Sequence, residues 1–250
     1  MPTPFYHLSL AHEIAQHPGL PQGVQVRLRQ HAEAFLFGKT APDVQVVSGL
    51  RREATHFFSI PPDSDVPAWR RMLEVHPDLS NAAALPTDQA VFLAGYFCHL
   101  QADETWIFDL FLPVFGPEAE WADFRRRLFL HNVLRAYLDR QVLDELPSDT
   151  GQRLHACRPG DWLPFAGPAD LAEWRDYLAE QLQPGAKVLT AEVFAGRQGI
   201  DPQEFNGLLA SQEGMQREIF AHLPRQRLVE FRESVVAKNL QLLREYLSHA

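Results

Sequence analysis

The 250-residue sequence predicts an all-α protein of roughly eight to ten helices, on three observations. Apolar residues recur at helical spacing through most of the chain. Short stretches rich in proline or glycine separate these segments, and no stretch has the alternating pattern of a β-strand. We therefore expect one helical domain, with a core in residues 1–146 and additional helices in residues 147–250. A domain boundary near residue 150 is the alternative.

Start and stop signals set the expected limits of the helices. Thr3 and Pro4 have the pattern of an N-cap followed by proline at the first helical position. The first helix is expected to end at the HPGLP stretch, and Pro113 is expected to stop the central helix. The predicted helices are residues 4–16, 22–37, 66–74, 87–112, 117–146, 169–182, 186–197, 202–221 and 225–248.

Two polar residues interrupt the most apolar stretch of the chain, VFLAGYFCHLQADETWIF at residues 91–108. His99 and Asp103 are four residues apart, so a helix places them on one face. An unpartnered carboxylate in a buried helix is costly, and the usual remedies are a partner, a hydrogen-bond network or a metal ion. This pair therefore directs the search for partners elsewhere in the chain.

The irregular segment at residues 38–67 supplies two such partners, Asp43 and His56. A loop of this length inside a compact domain is usually functional or disordered, and the aromatic residues beside His56 argue against disorder. Together with His99 and Asp103, these residues make a set of two histidines and two aspartates. Such a set binds Zn²⁺ or another divalent ion through nitrogen and oxygen.

Composition narrows the class of function. Only two cysteines occur and neither belongs to a C-x-x-C pair, so a metal site must use histidines and carboxylates. The net charge of −9 argues against a general nucleic-acid-binding surface. The start of the chain lacks the pattern of a signal peptide, and no run of about 18 apolar residues occurs. We therefore expect a cytoplasmic protein without a membrane span.

Four motifs in order give the chain a family resemblance. PTPFYHL, FGKTAPD, THFF and FLAGYFCHLQADETW together resemble the zinc-dependent phospholipase C family, in particular its small uncharacterised bacterial branch, over about residues 1–140. The resemblance implies a helical fold with a metal site between the central helices and an N-terminal loop. It also implies that Asp43, His56, His99 and Asp103 hold one zinc ion.

The resemblance implies further metal positions. A second ion shares Asp103 and takes an N-terminal histidine, here His7, with the α-amino group of the mature chain. Because six residues precede His7, another group or water is expected in place of that amine. The third position departs from the family: Asp109 stands where the family has histidine, and His131 is followed by Arg135 where the family has glutamate.

His131 would join Asp109, or else Asp139 further along its own helix. One to three ions are therefore expected, with two favoured over three, and either zinc or another divalent metal.

The function that the resemblance implies is hydrolysis of a small-molecule or lipid phosphoester by metal-activated water. Asp43 would act as a base or orient the water, and Arg135 would face a phosphate oxygen. Two alternatives stay open. In one, a structural ion fastens the loop at residues 38–67 to the central helix without catalysis. In the other there is no metal, and His99 and Asp103 pair with Arg51, Arg52 or backbone groups. The oligomeric state is left open.

Overall fold

The computed structural model describes residues 1–247, and within them the chain is helical, as predicted. No β-strand occurs among the described residues, where a single isolated bridge joins Leu163 to Ala166. The α-helices are α1 (Pro4–Gln16), α2 (Gln22–Gln30), α3 (Ala32–Gly38), α4 (Gln45–Ser48), α5 (Arg52–His56), α6 (Ala68–Val75), α7 (Thr87–Trp106), α8 (Phe124–Leu143), α9 (Thr150–Ala156), α10 (Pro168–Gln181), α11 (Thr190–Gln198), α12 (Pro202–Ala210), α13 (Gln212–Met215) and α14 (Arg225–Leu247).

These fourteen helices exceed the eight to ten expected, because periodic segments are broken where the apolar pattern continues. His31 leaves the helical conformation (φ −122°, ψ 41°) and divides the segment at residues 22–37 into α2 and α3. Ser211 separates α12 from α13 in the same way. The helix expected at residues 225–248 is observed as far as Leu247, and Ser248 lies outside the described residues.

Helix α7 is the centre of the molecule. Every residue from Ala90 to Leu100 is buried, because α3, α6 and α14 pack around it. Its contact with α3 is close enough to require two glycines. A Cβ atom on Gly38 would lie 2.0 Å from the Phe92 carbonyl oxygen, and one on Gly95 would lie 2.5 Å from the Phe35 carbonyl oxygen. The two helix backbones therefore touch, which fixes α3 against the middle of α7.

Pro113 does not end the central helix. The chain passes from α7 directly into a π-helix, Ile107–Phe115, which contains Pro113 and ends before Gly116. A π-helix bonds each N–H to a carbonyl five residues earlier, and proline removes one such bond without ending the others. The expected stop is thus displaced by three residues beyond Leu112.

The segment at residues 38–67, expected to be irregular, contains short helical turns. A 3-10 turn, Ala41–Val44, carries Asp43, and α5 ends at His56. Phe57, with φ 59°, reverses the chain directly after His56. These turns direct the segment back onto α7.

The C-terminal helices pack onto the first part of the chain. Helix α10 contacts α9, α4 and the 3-10 turn, α11 and α12 contact α8, and α14 contacts α7. The division at residue 146 stays a prediction. None of the helices in residues 1–247 has the length and apolar character that crossing a membrane requires.

Candidate metal centre

Five of the seven expected metal ligands come together beside α7. His7 comes from α1, Asp43 from the 3-10 turn, His56 from the end of α5, and His99 and Asp103 from α7. The three histidines and Asp103 are buried, whereas the Asp43 side chain is 17% exposed. We refer to these five residues as the His–Asp cluster.

The distances within the cluster suit metal ligands. Asp103 Oδ1 lies 3.3 Å from His7 Nε2, and Asp103 Oδ2 lies 3.4 Å from His56 Nε2 and 3.6 Å from His99 Nε2. Asp43 Oδ1 lies 3.6 Å from His56 Nε2. Four ligands at about 2.0–2.2 Å from a tetrahedral zinc ion are roughly 3.3–3.6 Å apart. The observed spacings therefore match the edges of such a coordination shell.

The ligand atoms form two overlapping groups. His7, His99 and Asp103 make one, and Asp43, His56 and His99 make the other, each with its ligand atoms within 4.8 Å of one another. The rings of His7 and His99 are stacked with centroids 3.8 Å apart. Asp103 presents one oxygen to His7 and the other to His56 and His99, and the two groups share the single free nitrogen of His99. The cluster could therefore hold a metal ion.

The nitrogen atoms that face the cluster have no hydrogen-bond partner. Nε2 of His7, His56 and His99 is buried and unpartnered, and so are His7 Nδ1 and Asp103 Oδ1. The contacts of 3.3–3.6 Å to the aspartates therefore lack hydrogen-bond geometry. Because buried polar atoms are rarely left unpaired, a bound ligand at this place would satisfy them together. The donor set of the cluster fits a divalent ion.

The opposite ring nitrogens of two histidines fix their tautomers. His99 Nδ1 donates to the Lys39 carbonyl oxygen at 2.9 Å, so in the neutral ring the Nε2 lone pair faces the cluster. His56 Nδ1 lies 3.0 Å from the Thr55 hydroxyl, and that hydroxyl has the Arg52 carbonyl oxygen and Gln45 Oε1 as acceptors. When the hydroxyl donates to either of them, it accepts from the ring, and the His56 Nε2 lone pair then faces the cluster. These are the outer contacts that orient metal-binding histidines.

Burial and local charge set the same protonation states. Burial, together with His99, holds the pKa of His7 well below its ordinary value. Burial and the nearby Arg52 lower the pKa of His56. Burial by itself raises the pKa of Asp103, but the neighbouring histidines outweigh it and hold that pKa well below its ordinary value. A neutral imidazole at His7 and His56 and an ionised carboxylate at Asp103 are the forms that bind a metal.

Arg52 would compete with a metal ion for the Asp103 carboxylate. Its Nη2 atom lies 3.2 Å from Asp103 Oδ2, and His99 is bonded to a backbone carbonyl, as the alternative without a metal expects. That alternative gives no partner to the three Nε2 atoms or to Asp103 Oδ1. Arg52 and the backbone therefore leave several potential metal-binding atoms of the cluster without a hydrogen-bond partner.

Asp109 and His131 are not brought into the cluster. The His131 ring lies among Trp106, Phe111 and Phe115, and its Nε2 atom accepts a hydrogen bond from Trp106 Nε1 at 2.9 Å. Asp109 lies in a surface depression beside Arg227. Among the described residues, neither belongs to a group of three candidate ligands. The geometry thus offers no third ion position at these residues.

Arg135 and Asp139 follow His131 along α8. Arg135 lies over the Phe194 ring, with its guanidinium carbon 4.3 Å from the ring centroid, and Nη1 donates to Asn132. Asp139 accepts hydrogen bonds from the hydroxyls of Thr3 and Thr190. The Thr190 bond is 2.6 Å long, and it connects Asp139 to the start of α11 rather than to a metal site.

A cavity of about 190 Å³ adjoins the cluster. Asp43 and Arg52 lie in its wall on the cluster side, and Arg135 lies in the wall formed by α8. Helices α10 and α11 close the other side with residues that the sequence analysis did not single out, namely Trp174, Tyr177, Leu178, Gln181, Val193, Phe194 and Arg197. No signal in the sequence indicated that these residues line the cavity, because all of them are distant in sequence from the predicted metal ligands.

Asp139→Asn is expected to change the pH dependence of stability. Burial raises the pKa of Asp139 from 3.8 to about 6. Since the folded protein then binds this proton to a higher pH than the unfolded chain, its stability falls as pH rises through this range. The shift is worth about 3 kcal/mol.

The free energy of unfolding of Asp139→Asn minus that of the wild type should therefore increase by about 3 kcal/mol between pH 3.5 and pH 7, measured by urea denaturation. A difference that is constant with pH would contradict a raised pKa for this carboxyl.

Fold and site together define an all-helical protein with a buried cluster of three histidines and two aspartates. Comparison of the chain with protein-family models, with curated proteins and with solved structures found no match in any of the three.

Proposed function

We propose that this protein is a metal-dependent hydrolase of phosphoesters with the His–Asp cluster as its active site. The observation that carries the proposal is the set of unpartnered imidazole nitrogens directed at two aspartates beside an arginine-lined cavity. The resemblance of residues 1–140 to zinc-dependent phospholipases C supports the same chemistry. In that family the matching residues hold zinc, and the fold is a multi-helix bundle.

The cluster residues would hold one or two divalent ions, most simply Zn²⁺. An ion bound there supplies a Lewis acid for a phosphoryl oxygen and lowers the pKa of a bound water. His7, His56 and His99 present Nε2 atoms to the cluster, and the two oxygens of Asp103 lie within 3.6 Å of all three. The carbonyl of Lys39 holds the His99 ring in place at 2.9 Å.

Two residues at the cavity edge would act on the substrate and the attacking water. Asp43 is the cluster residue most open to the cavity, and Gln45 donates to its Oδ1 atom at 3.4 Å, which fixes the carboxylate. Asp43 would thus bind metal or accept a proton from water. Arg135, whose Nη1 and Phe194 contacts hold the guanidinium, would face a phosphoryl oxygen.

The test combines metal analysis with a substrate screen. The purified protein is expected to contain one or two equivalents of a divalent ion and to hydrolyse members of a phosphodiester and phosphomonoester panel. Dialysis against a chelator should abolish the hydrolysis, and added Zn²⁺ should restore it. If the folded protein contains metal and hydrolyses no phosphoester of the panel, the proposal is wrong.

A structural ion is the second candidate, favoured by the complete burial of His7, His56 and His99. In that role the ion would fasten the 3-10 turn and α5 to α7. Structural sites close their coordination shell, whereas catalytic sites keep a position for water. Metal removal would then lower the melting temperature sharply while no substrate is turned over, and this outcome separates the two candidates.

A further inference from the structure

The cavity beside the His–Asp cluster has a strongly cationic lining. Its charged side chains are Arg52, Arg135 and Arg197 against a single carboxylate, Asp43. Asp43 belongs to the cluster through His56, and Arg52 is engaged by Asp103 at 3.2 Å. The positive charge left for a ligand therefore comes from Arg135 and Arg197.

Neither of these two arginines forms a close ion pair with a carboxylate. Among residues 1–247 no carboxylate lies within 4.0 Å of either guanidinium. Arg135 Nε is buried without a hydrogen-bond partner. Burial lowers the pKa of Arg135 to about 10, while Asp43, Asp103 and Asp139 raise it and Arg197 lowers it by a smaller amount. A guanidinium N–H that is buried without a partner is costly, and an anion in the cavity would satisfy it.

Four other polar side chains of the cavity are already bonded. Thr3 and Thr190 donate to Asp139. Gln181 accepts from the Leu189 amide at 3.0 Å, and Gln45 bonds both Asp43 and Thr55. The guanidinium groups, the Tyr177 hydroxyl and the Met1 amino group are thus the donors left for a ligand, and the guanidinium groups select oxyanions.

Size and surroundings restrict the ligand further. The volume of about 190 Å³ is below the 300–1,000 Å³ of sites for drug-sized molecules. Trp174, Tyr177 and Phe194 line the remaining wall. Aromatic faces also bind quaternary ammonium groups, but Arg135 already lies over the Phe194 ring, and Asp43 is the one carboxylate in the lining of this cavity.

We propose that this cavity is a subsite for a second oxyanion of the substrate, held by Arg197, with Arg135 between that oxyanion and the scissile phosphoryl group. This assignment rests on the phosphoesterase function proposed above and specifies its substrate class. The substrate is a small phosphoester whose alcohol part carries a carboxylate or a similar anion, in preference to a choline or amine headgroup.

Direct binding tests the subsite without any catalysis. Three compounds that differ only in one group, phosphoglycolate, hydroxyethyl phosphate and phosphocholine, are titrated calorimetrically into the metal-free protein. The wild type is expected to bind phosphoglycolate at least about tenfold more tightly than phosphocholine, with hydroxyethyl phosphate between them. Equal or tighter binding of phosphocholine overturns the proposal.

Substitution of one arginine locates the effect. Arg197 is exposed, so Arg197→Gln is expected to fold normally and to reduce the preference for phosphoglycolate over phosphocholine to below about threefold. The matched control is Arg140→Gln, an exposed arginine of α8 that bonds Asn206 outside the cavity and should keep the wild-type preference. An unchanged preference in Arg197→Gln overturns the assignment.

A kinetic experiment distinguishes failure of the oxyanion subsite from failure of the phosphoesterase function. The metal-loaded protein is assayed with 4-nitrophenyl diesters of phosphoglycolate, hydroxyethyl phosphate and phosphocholine. The highest kcat/KM is expected for the phosphoglycolate ester. If no ester is hydrolysed while the binding preference persists, the phosphoesterase function fails and the oxyanion subsite stands. If hydrolysis occurs without an anionic preference, the subsite fails and the phosphoesterase stands.

Discussion

Asp103→Asn is expected to reduce bound metal to below about 0.1 equivalent and phosphodiester hydrolysis by roughly 10³-fold or more. Asparagine keeps the shape of aspartate but removes the charge and one acceptor oxygen. Asp103 is the residue on which the cluster converges, because its two oxygens lie within 3.6 Å of all three histidines. Metal content is measured by plasma mass spectrometry and hydrolysis with bis(4-nitrophenyl) phosphate.

The matched control is Asp139→Asn, the same substitution at another fully buried aspartate. Asp139 is bonded to two threonine hydroxyls outside the cluster, so this variant should keep its metal and its activity. Full metal content in Asp103→Asn, or equal losses in the two variants, would show that the cluster does not hold the ion.

The second large effect is expected at the contact between α3 and α7. Gly38→Ala would place a Cβ atom 2.0 Å from the Phe92 carbonyl oxygen, which is backbone and cannot rotate away. We expect a loss of about 3 kcal/mol in the free energy of unfolding. Lys39, the next residue, orients His99 through its carbonyl, so metal affinity should also fall about tenfold.

Urea denaturation of the metal-free protein and competition with a chromogenic chelator measure the two effects. The control is Gly207→Ala in α12, where a Cβ atom has no neighbour within 4 Å. That variant should gain about 0.5–1 kcal/mol from helix propensity and bind metal normally. Wild-type stability in Gly38→Ala would contradict the close packing of the two helices.

Local signals in the sequence determined several helices well. The first helix begins and ends where expected, because the Thr3 hydroxyl accepts from the Tyr6 amide and Pro4 occupies the first helical position. The start of α7 at Thr87 was also predicted. Capping and proline placement act over a few residues, so they are readable without the rest of the fold.

Other boundaries depended on the surroundings. The continuous pattern at residues 22–37 gave no sign of the break at His31, because both halves bury apolar residues. Helix α9 was expected to be connecting chain. At Pro113 the chain stays helical beyond the expected stop, with Leu110, Phe111, Val114 and Phe115 all buried. In each case tertiary packing overrode the local signal.

The residues of the metal centre also differ in how far local sequence signals predicted them. The four-residue spacing alone put His99 and Asp103 on one face of α7, since helix geometry is local. The meeting of His7, Asp43 and His56 with them was expected from the resemblance, and the structure brings all five together. Asp109 was expected as a further ligand, but six residues after Asp103 a helix has turned through about 240°, which directs it to another face.

The sequence by itself therefore determined the helical class, the first and central helices, and the polar pair in the apolar helix. Only the tertiary structure decided which orphaned atoms share a site, that the carbonyl of Lys39 orients His99, and that Arg197 lines the cavity with Arg135. The physical reason is that burial, tautomer and charge compensation depend on neighbours contributed by distant segments. No spacing along the chain records those neighbours.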